Sequence, residues 1–286
     1  MKPFLRQFYF ELFKLVARKR TYTGFAVFLL VDLIFLFILN LPSTRHHFTQ
    51  MFARGGHLFD HYDTGLTLAH IVLDFSTFFL GTLYLALISG DMVAKEVEDG
   101  TLRMVLSRPV SRLRILLVKY LACVAYTVVL MLFIVVICLA ACIVDRGLGA
   151  LAIFSGGGGP NRMADFAFYE TREALTRFAW ATLVLCLSAP TISSLGFMFS
   201  CFRLKPATAT ILTLSFLVMD TVLRQVPFFS HLKNIFITQH ISIWTHLFDY
   251  QFSWIHVLKT LALLAACNGA FFAIGAAYFC RRDFKS

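Results

Sequence analysis

Gly90-Asp91-Met92-Val93-Ala94-Lys95-Glu96-Val97-Glu98-Asp99-Gly100-Thr101-Leu102-Arg103-Met104-Val105-Leu106-Ser107-Arg108-Pro109-Val110-Ser111-Arg112 is a charged island in a chain otherwise poor in charge. Before it runs the apolar segment Leu66 to Ser89, and after it Ile115 to Val144. Each flank exceeds the ~20 apolar residues that a helix needs to cross ~30 Å of hydrocarbon. The island is therefore a loop at one membrane face. Four further segments pass the same test: Tyr22 to Leu41, Phe178 to Cys201, Pro206 to Leu223 and Trp254 to Phe279.

The expected fold is all-α: one polytopic transmembrane domain over residues 1–286, with spans at 22–41, 66–89, 115–144, 178–201, 206–223 and 254–279. Composition agrees, with 58% hydrophobic and 15% charged residues and a mean hydropathy of +0.74, against about 25% charged residues in soluble domains. A soluble globule, a disordered chain and a disulfide scaffold are excluded. The seven cysteines lie in or at the ends of apolar runs and offer no metal-binding pair, which makes them packing residues. The net charge of +10 sits in short clusters between spans rather than along one stripe, so it reads as membrane orientation and not as nucleic-acid binding.

An even number of spans puts both termini on one side. With that side cytoplasmic, 17 of the 26 Lys and Arg residues fall inside, and the other nine lie on longer outside segments where charge counts for less. The expected location is the cytoplasmic (inner) membrane with both termini cytoplasmic. The first span is too long, and Leu41-Pro42-Ser43-Thr44 too poor a cleavage site, for a signal peptide.

Residues 1–20 place Phe4, Leu5, Phe8, Leu12, Leu15 and Val16 on one helical face and Arg6, Gln7, Glu11, Lys14 and Arg18 on the other, the pattern of an interfacial helix meeting anionic headgroups. The third span is overlong and carries Lys119 near its start, so it is expected to project from the membrane or to tilt. Two segments are assigned to the outside. Residues 145–177 hold Gly156 to Gly159 and Pro160, then a stretch from Ala164 to Arg177 with helical potential; residues 225–253 are apolar enough to form short helices dipping into the outer leaflet.

Glu96, Glu98 and Asp99 are acids in an inside loop where topology needs only Lys and Arg, which points to a docking surface for a cytoplasmic partner. Gly100 suits the end of one helix, and Thr101 the N-cap of a short helix through Leu106 that offers Leu102, Val105 and Leu106 to membrane or partner. Pro109 stops that helix, and Ser111 caps the next.

The run Lys95 to Arg103, followed by Leu106-Ser107-Arg108-Pro109-Val110-Ser111-Arg112 and Ile115 to Tyr120, resembles the membrane subunits of ABC-2 type ABC transporters. The six-span plan, the amphipathic N-terminal helix, the apolar segment before the last span and the basic end Arg281-Arg282 share that resemblance. It implies the ABC-2 exporter fold and a coupling helix at Gly100 to Leu106 that docks into a separate ATP-binding subunit. Glu96, Glu98, Gly100, Thr101, Leu102, Arg103 and Arg108 would form the contact. It also implies a second membrane subunit, identical or different, and two ATPase subunits. The glycine-interrupted outside segment departs from the family plan and leaves an extracytoplasmic partner open.

No GxxxxGK[ST] occurs, so ATP and Mg²⁺ belong to the partner and no cofactor is expected in this chain. Nor is there HExxH, GxSxG or a paired-carboxylate motif, so the chain is read as non-catalytic. Four ionisable groups lie within spans, where they are costly. Asp32 is expected to line a path or dimer interface, and Asp74 or Asp220 to pair with Lys259 in the outer leaflet. All nine histidines fall outside or in the outer leaflet, but their spacing matches no metal motif and no metal site is assigned. The expected function is the permease subunit of an exporter. The alternatives are a mechanical anchor for an extracytoplasmic machine of the Nos type, and an ATP-independent carrier using Asp32, which would need inverted repeats not found here.

Overall fold

Inside a bilayer, backbone N–H and C=O groups find no water, so each long apolar run closes into a helix. The computed structural model describes residues 3–54, 62–106, 111–155 and 165–281. Of the positions singled out above, His57, His61, Ser107, Arg108, Pro109, Val110, Gly156 to Pro160, Ala164 and Arg282 lie outside the described residues, as do the side chains of Arg103, Val105 and Leu106. Among the described residues six helices are long and apolar enough to span a membrane.

In chain order the helices begin with α1 (Pro3–Val16), α2 (Lys19–Asn40) and α3 (Pro42–Arg54). Next come α4 (Gly65–Glu98), α5 (Thr101–Leu106) and α6 (Arg112–Arg146). A hairpin of β1 (Leu151–Ser155) and β2 (Asp165–Tyr169) leads to α7 (Thr171–Ser200) and α8 (Pro206–Gln225). The last two are α9 (Ile237–Ile241) and α10 (Trp254–Arg281). The candidate spans are α2, α4, α6, α7, α8 and α10. The chain is a multi-pass membrane protein of all-α class.

Most of α7 is buried, whereas α8 and α10 leave much of their length exposed. Around α7 pack α4, α8 and α10. One close approach is between α4 and α8: a Cβ built on Gly90 would lie 2.7 Å from Thr210 Oγ1 and 3.1 Å from Thr210 N. Small residues let helices meet this closely where lipid, unlike water, gives no hydrophobic drive to associate. Within α4, Ser76–Gly81 winds as a π-helix, and Ser76 Oγ donates to Asp32 Oδ1 of α2 at 2.7 Å.

Three local readings change. Asp165 to Tyr169 is a strand and not part of a helix. Its register, Leu151↔Tyr169 to Ser155↔Asp165, buries Leu151, Ala167 and Tyr169, and Ala152 N donates to Thr67 Oγ1 at 3.1 Å. That pairing depends on a partner strand from across the glycine run. Second, α4 continues from Ser89 to Glu98, because its polar end finds partners on three other helices. Third, α1 is apolar on two sides: Phe8, Leu12 and Leu15 pack on the core, while Tyr9, Phe10 and Phe13 stay exposed. Between α8 and α10, 3₁₀ turns at Pro227–Ile235 and Ser242–Phe248 flank α9, and the second turn buries Ile243, Trp244, Leu247 and Phe248.

The α4–α8 contact makes a testable demand. Gly90→Leu forces the two helices apart and should cost about 1–3 kcal/mol, read as a lower unfolding midpoint in detergent. Gly269→Ala inside α10, where a Cβ meets nothing within 4 Å, should not lower the midpoint and should raise it slightly, as Ala favours a helix over Gly.

Candidate functional site

At the Glu98 end of the bundle, α4 stops because Gly100 takes a φ of +72°, open to glycine without strain. Asp99 N donates to Lys95 O at 2.9 Å, and Gly100 N to Val97 O at 3.2 Å. Thr101 behaves differently from the expected N-cap: its hydroxyl donates backward to Glu96 O at 3.3 Å and so closes the end of α4. The short helix α5 then turns Leu102 into the bundle at 1% exposure, not toward membrane or partner, and leaves Met104 67% exposed. Glu98 and Asp99 are exposed beside it.

Glu96, expected on the docking surface, is instead buried, at 4% exposure. One of its carboxylate oxygens takes Lys14 of α1, and the other takes Lys119 of α6 at 2.8 Å. Lys119, itself 2% exposed, also donates to Glu11 of α1 at 3.1 Å. Two acids and two bases thus neutralise one another where α1, α4 and α6 meet. Removing one member of such a buried set strands the others, which is why these pairs are costly to break even when they add little net stability. A second tie joins Arg20 of α2 to Asp91 of α4, and Arg112 Nη1 of α6 donates to Cys280 O of α10 at 3.2 Å.

Glu11, Lys14, Arg20, Asp91 and Lys119 were not read as site residues from sequence. The one available signal was Lys119, a cation in an apolar run, which demands an acid from elsewhere. Which acid answers it depends on how the helices pack. The result is a charged joint that fixes the foot of α4, and α5 hangs directly from that foot.

The remaining candidates resolve differently from expectation. Asp32 is 2% exposed inside the single chain, held by Ser76, so it faces neither a dimer partner nor an open path among the described residues. Asp220 caps α9 by accepting from Thr238 N at 2.8 Å and Thr238 Oγ1 at 2.6 Å, and no ion pair of Asp74 or Asp220 with Lys259 forms among the described residues. A helix N-terminus, with its free N–H groups, satisfies a carboxylate as well as a cation does. At the other end of the bundle Arg146 of α6 binds Asp63 and Asp145 and donates to Asn40 Oδ1 at 2.5 Å, which joins α2 to α6. Of the described histidines, His246 meets Asp249 at 2.8 Å and lies 6.1 Å from the His256 ring, His240 meets Asn234 O at 2.8 Å, and His70 stands edge-on to Phe248.

The joint has a graded energetic signature. Lys119→Met leaves Glu11 without a cation and buried Glu96 with Lys14 alone, and should cost about 3–5 kcal/mol, whereas Lys14→Met, at the half-exposed rim, should cost at most about 1 kcal/mol. Denaturant unfolding in mixed micelles measures both, and equal losses would contradict a buried joint centred on Lys119.

A family model described as ABC-2 family transporter protein matches residues 17–283. No curated protein gives a match. The matched region starts before α2, ends after α10 and contains all six candidate spans together with α5, the hairpin, and Glu96 and Lys119 of the joint, while Glu11 and Lys14 of α1 precede it. The chain belongs to the ABC-2 family of transporter proteins.

Proposed function

We propose that this chain is the permease subunit of an ABC exporter of the cytoplasmic membrane, with both termini cytoplasmic, and that α5 receives the motion of a separate ATPase subunit. The observation that carries this reading is an exposed, acid-edged short helix joined without a flexible linker to a buried four-charge joint. Glu98, Asp99 and Met104 are exposed in the α5 region. Glu96 does not dock in this reading; it transmits.

A push on α5 acts first on the foot of α4. Because Glu96 is held by Lys14 and Lys119, and Asp91 by Arg20, that foot cannot move without α1, α2 and α6. The close contact of Gly90 with Thr210 passes the same displacement to α8. Nucleotide-driven closure of two ATPase subunits would thus be converted into a tilt of whole helices and not into local bending. ATP and Mg²⁺ stay in the partner, and this chain contributes no catalytic group. Two membrane subunits, identical or different, would complete the complex. Gly100, Thr101, Leu102, Arg103 and Arg108 set the position and contacts of α5 in this scheme.

Affinity purification of the tagged chain from its host in mild detergent tests the reading. A soluble ATPase should copurify in stoichiometric amount, and Glu98→Lys combined with Asp99→Lys should reduce it at least about tenfold, as expected when several interfacial charges are inverted. Both acids are exposed, so the unfolding midpoint should not change. A chain that purifies alone and supports ATP-independent flux after reconstitution would favour the carrier instead, and a stable extracytoplasmic partner without flux would favour the mechanical anchor.

A further inference from the structure

In the half of the bundle nearer Gly65, α4, α7, α8 and the segment around α9 line a half-open cavity of about 420 Å³, with Asp74 exposed at it. That is within the ~300–1,000 Å³ range of small-molecule sites. Its wall is mainly apolar and aromatic, with Phe78, Phe79, Leu217 and Trp244 among the lining residues. Asp74 is the one charged residue among the described wall residues, and neither Lys, Arg nor His joins it there. No hydrogen bond or ion pair reaches its carboxylate from any described residue. An acid left in this state inside a membrane span is costly and calls for a counter-charge.

Most of the hydroxyls in the described wall have the same bias. Thr77 Oγ1 donates to Leu73 O at 2.7 Å, Thr221 Oγ1 to Leu217 O at 2.8 Å, Ser242 Oγ to Thr238 O at 3.1 Å, and Thr238 Oγ1 to Asp220 Oδ2 at 2.6 Å. These four protons are committed within the protein, so those groups offer the cavity lone pairs. The Thr82 hydroxyl and the Trp244 indole N–H are the donors the wall retains, and its one charge is negative. Aromatic faces at Phe78, Phe79 and Trp244 add attraction for a cation. Neutral lipid chains would fill the apolar part and leave Asp74 unanswered, and an anionic amphiphile would be repelled.

We propose that this cavity binds a cationic amphiphile, its ammonium or iminium N–H groups against Asp74 and its apolar body between Phe78, Phe79, Leu217 and Trp244. The site names a ligand class for the transporter reading and rests on it. Its occupant would enter from the membrane, since α4 and α8 leave the wall residues Phe78, Phe79, Val218 and Val222 exposed.

The test is equilibrium binding to the purified chain in phosphatidylcholine nanodiscs, without ATPase or nucleotide, read by fluorescence anisotropy. The probes are rhodamine 6G, a cation with two N–H donors, and Nile red, an uncharged dye. Asp74→Asn should weaken rhodamine 6G at least about tenfold, as expected for loss of a charge-assisted hydrogen bond, and change Nile red little. Asp74→Glu should keep most of the affinity. Val218→Trp, at a wall position that is 59% exposed and so tolerant of size, should weaken both dyes. Unchanged rhodamine 6G binding in Asp74→Asn, or equal losses for the two dyes, would overturn the proposal. Because no partner is present, a negative result leaves the ATPase assay standing, and a failed ATPase assay leaves the binding result standing.

Discussion

A lysine ammonium at 2% exposure is tolerated only if its charge is answered at close range. Lys119 draws Glu96 from α4 and Glu11 from α1, and Glu96 in turn draws Lys14. The amphipathic α1 is held against the bundle by that demand as well as by Phe8, Leu12 and Leu15. The same demand lets α4 run to Glu98 as one helix, since the polar residues that would otherwise end it in water are paired. The placement of α5 then follows from Gly100 and from Leu102 inserted into the core.

Rigidity elsewhere has a different origin. Between α4 and α8 it comes from the absence of a side chain at Gly90, which brings backbone against backbone. At the far end it comes from Arg146, whose guanidinium has enough donors to hold acids and an amide from several segments at once. The bundle is therefore tied at both ends by charge, and at the end that carries α5 by close packing as well. A structure built in this way responds to force by moving helices as units, because packed interfaces have discrete arrangements and do not deform continuously.

The π-helical turn Ser76–Gly81 is the described exception to that regularity within α4. Its first residue holds Asp32, and the turn itself contributes Thr77, Phe78 and Phe79 to the cavity wall. Extra width in a helix re-aims side chains by part of a turn, which is why such segments recur where a wall must be shaped for a ligand. Two aspartates on neighbouring spans thus part company. Asp32 is buried with one oxygen accepting from Ser76, while Asp74 lines the cavity.

The six spans, the all-α class and the short helix after Gly100 were legible in the sequence because they depend on local quantities: the length of an apolar run, the period of an amphipathic face, and a glycine able to take positive φ. Absent from it were the partners of charged residues. Glu96 and Glu98 sit two residues apart in the same acidic loop, yet one is buried against two lysines and the other is exposed. Asp220 looked like half of an ion pair and proved to be a helix cap. The strand Asp165–Tyr169 was hidden because its partner lies beyond the glycine run. Periodicity is written within one helix, so sequence alone determines it. The answer to a buried charge comes from another helix, so only the tertiary packing decides it.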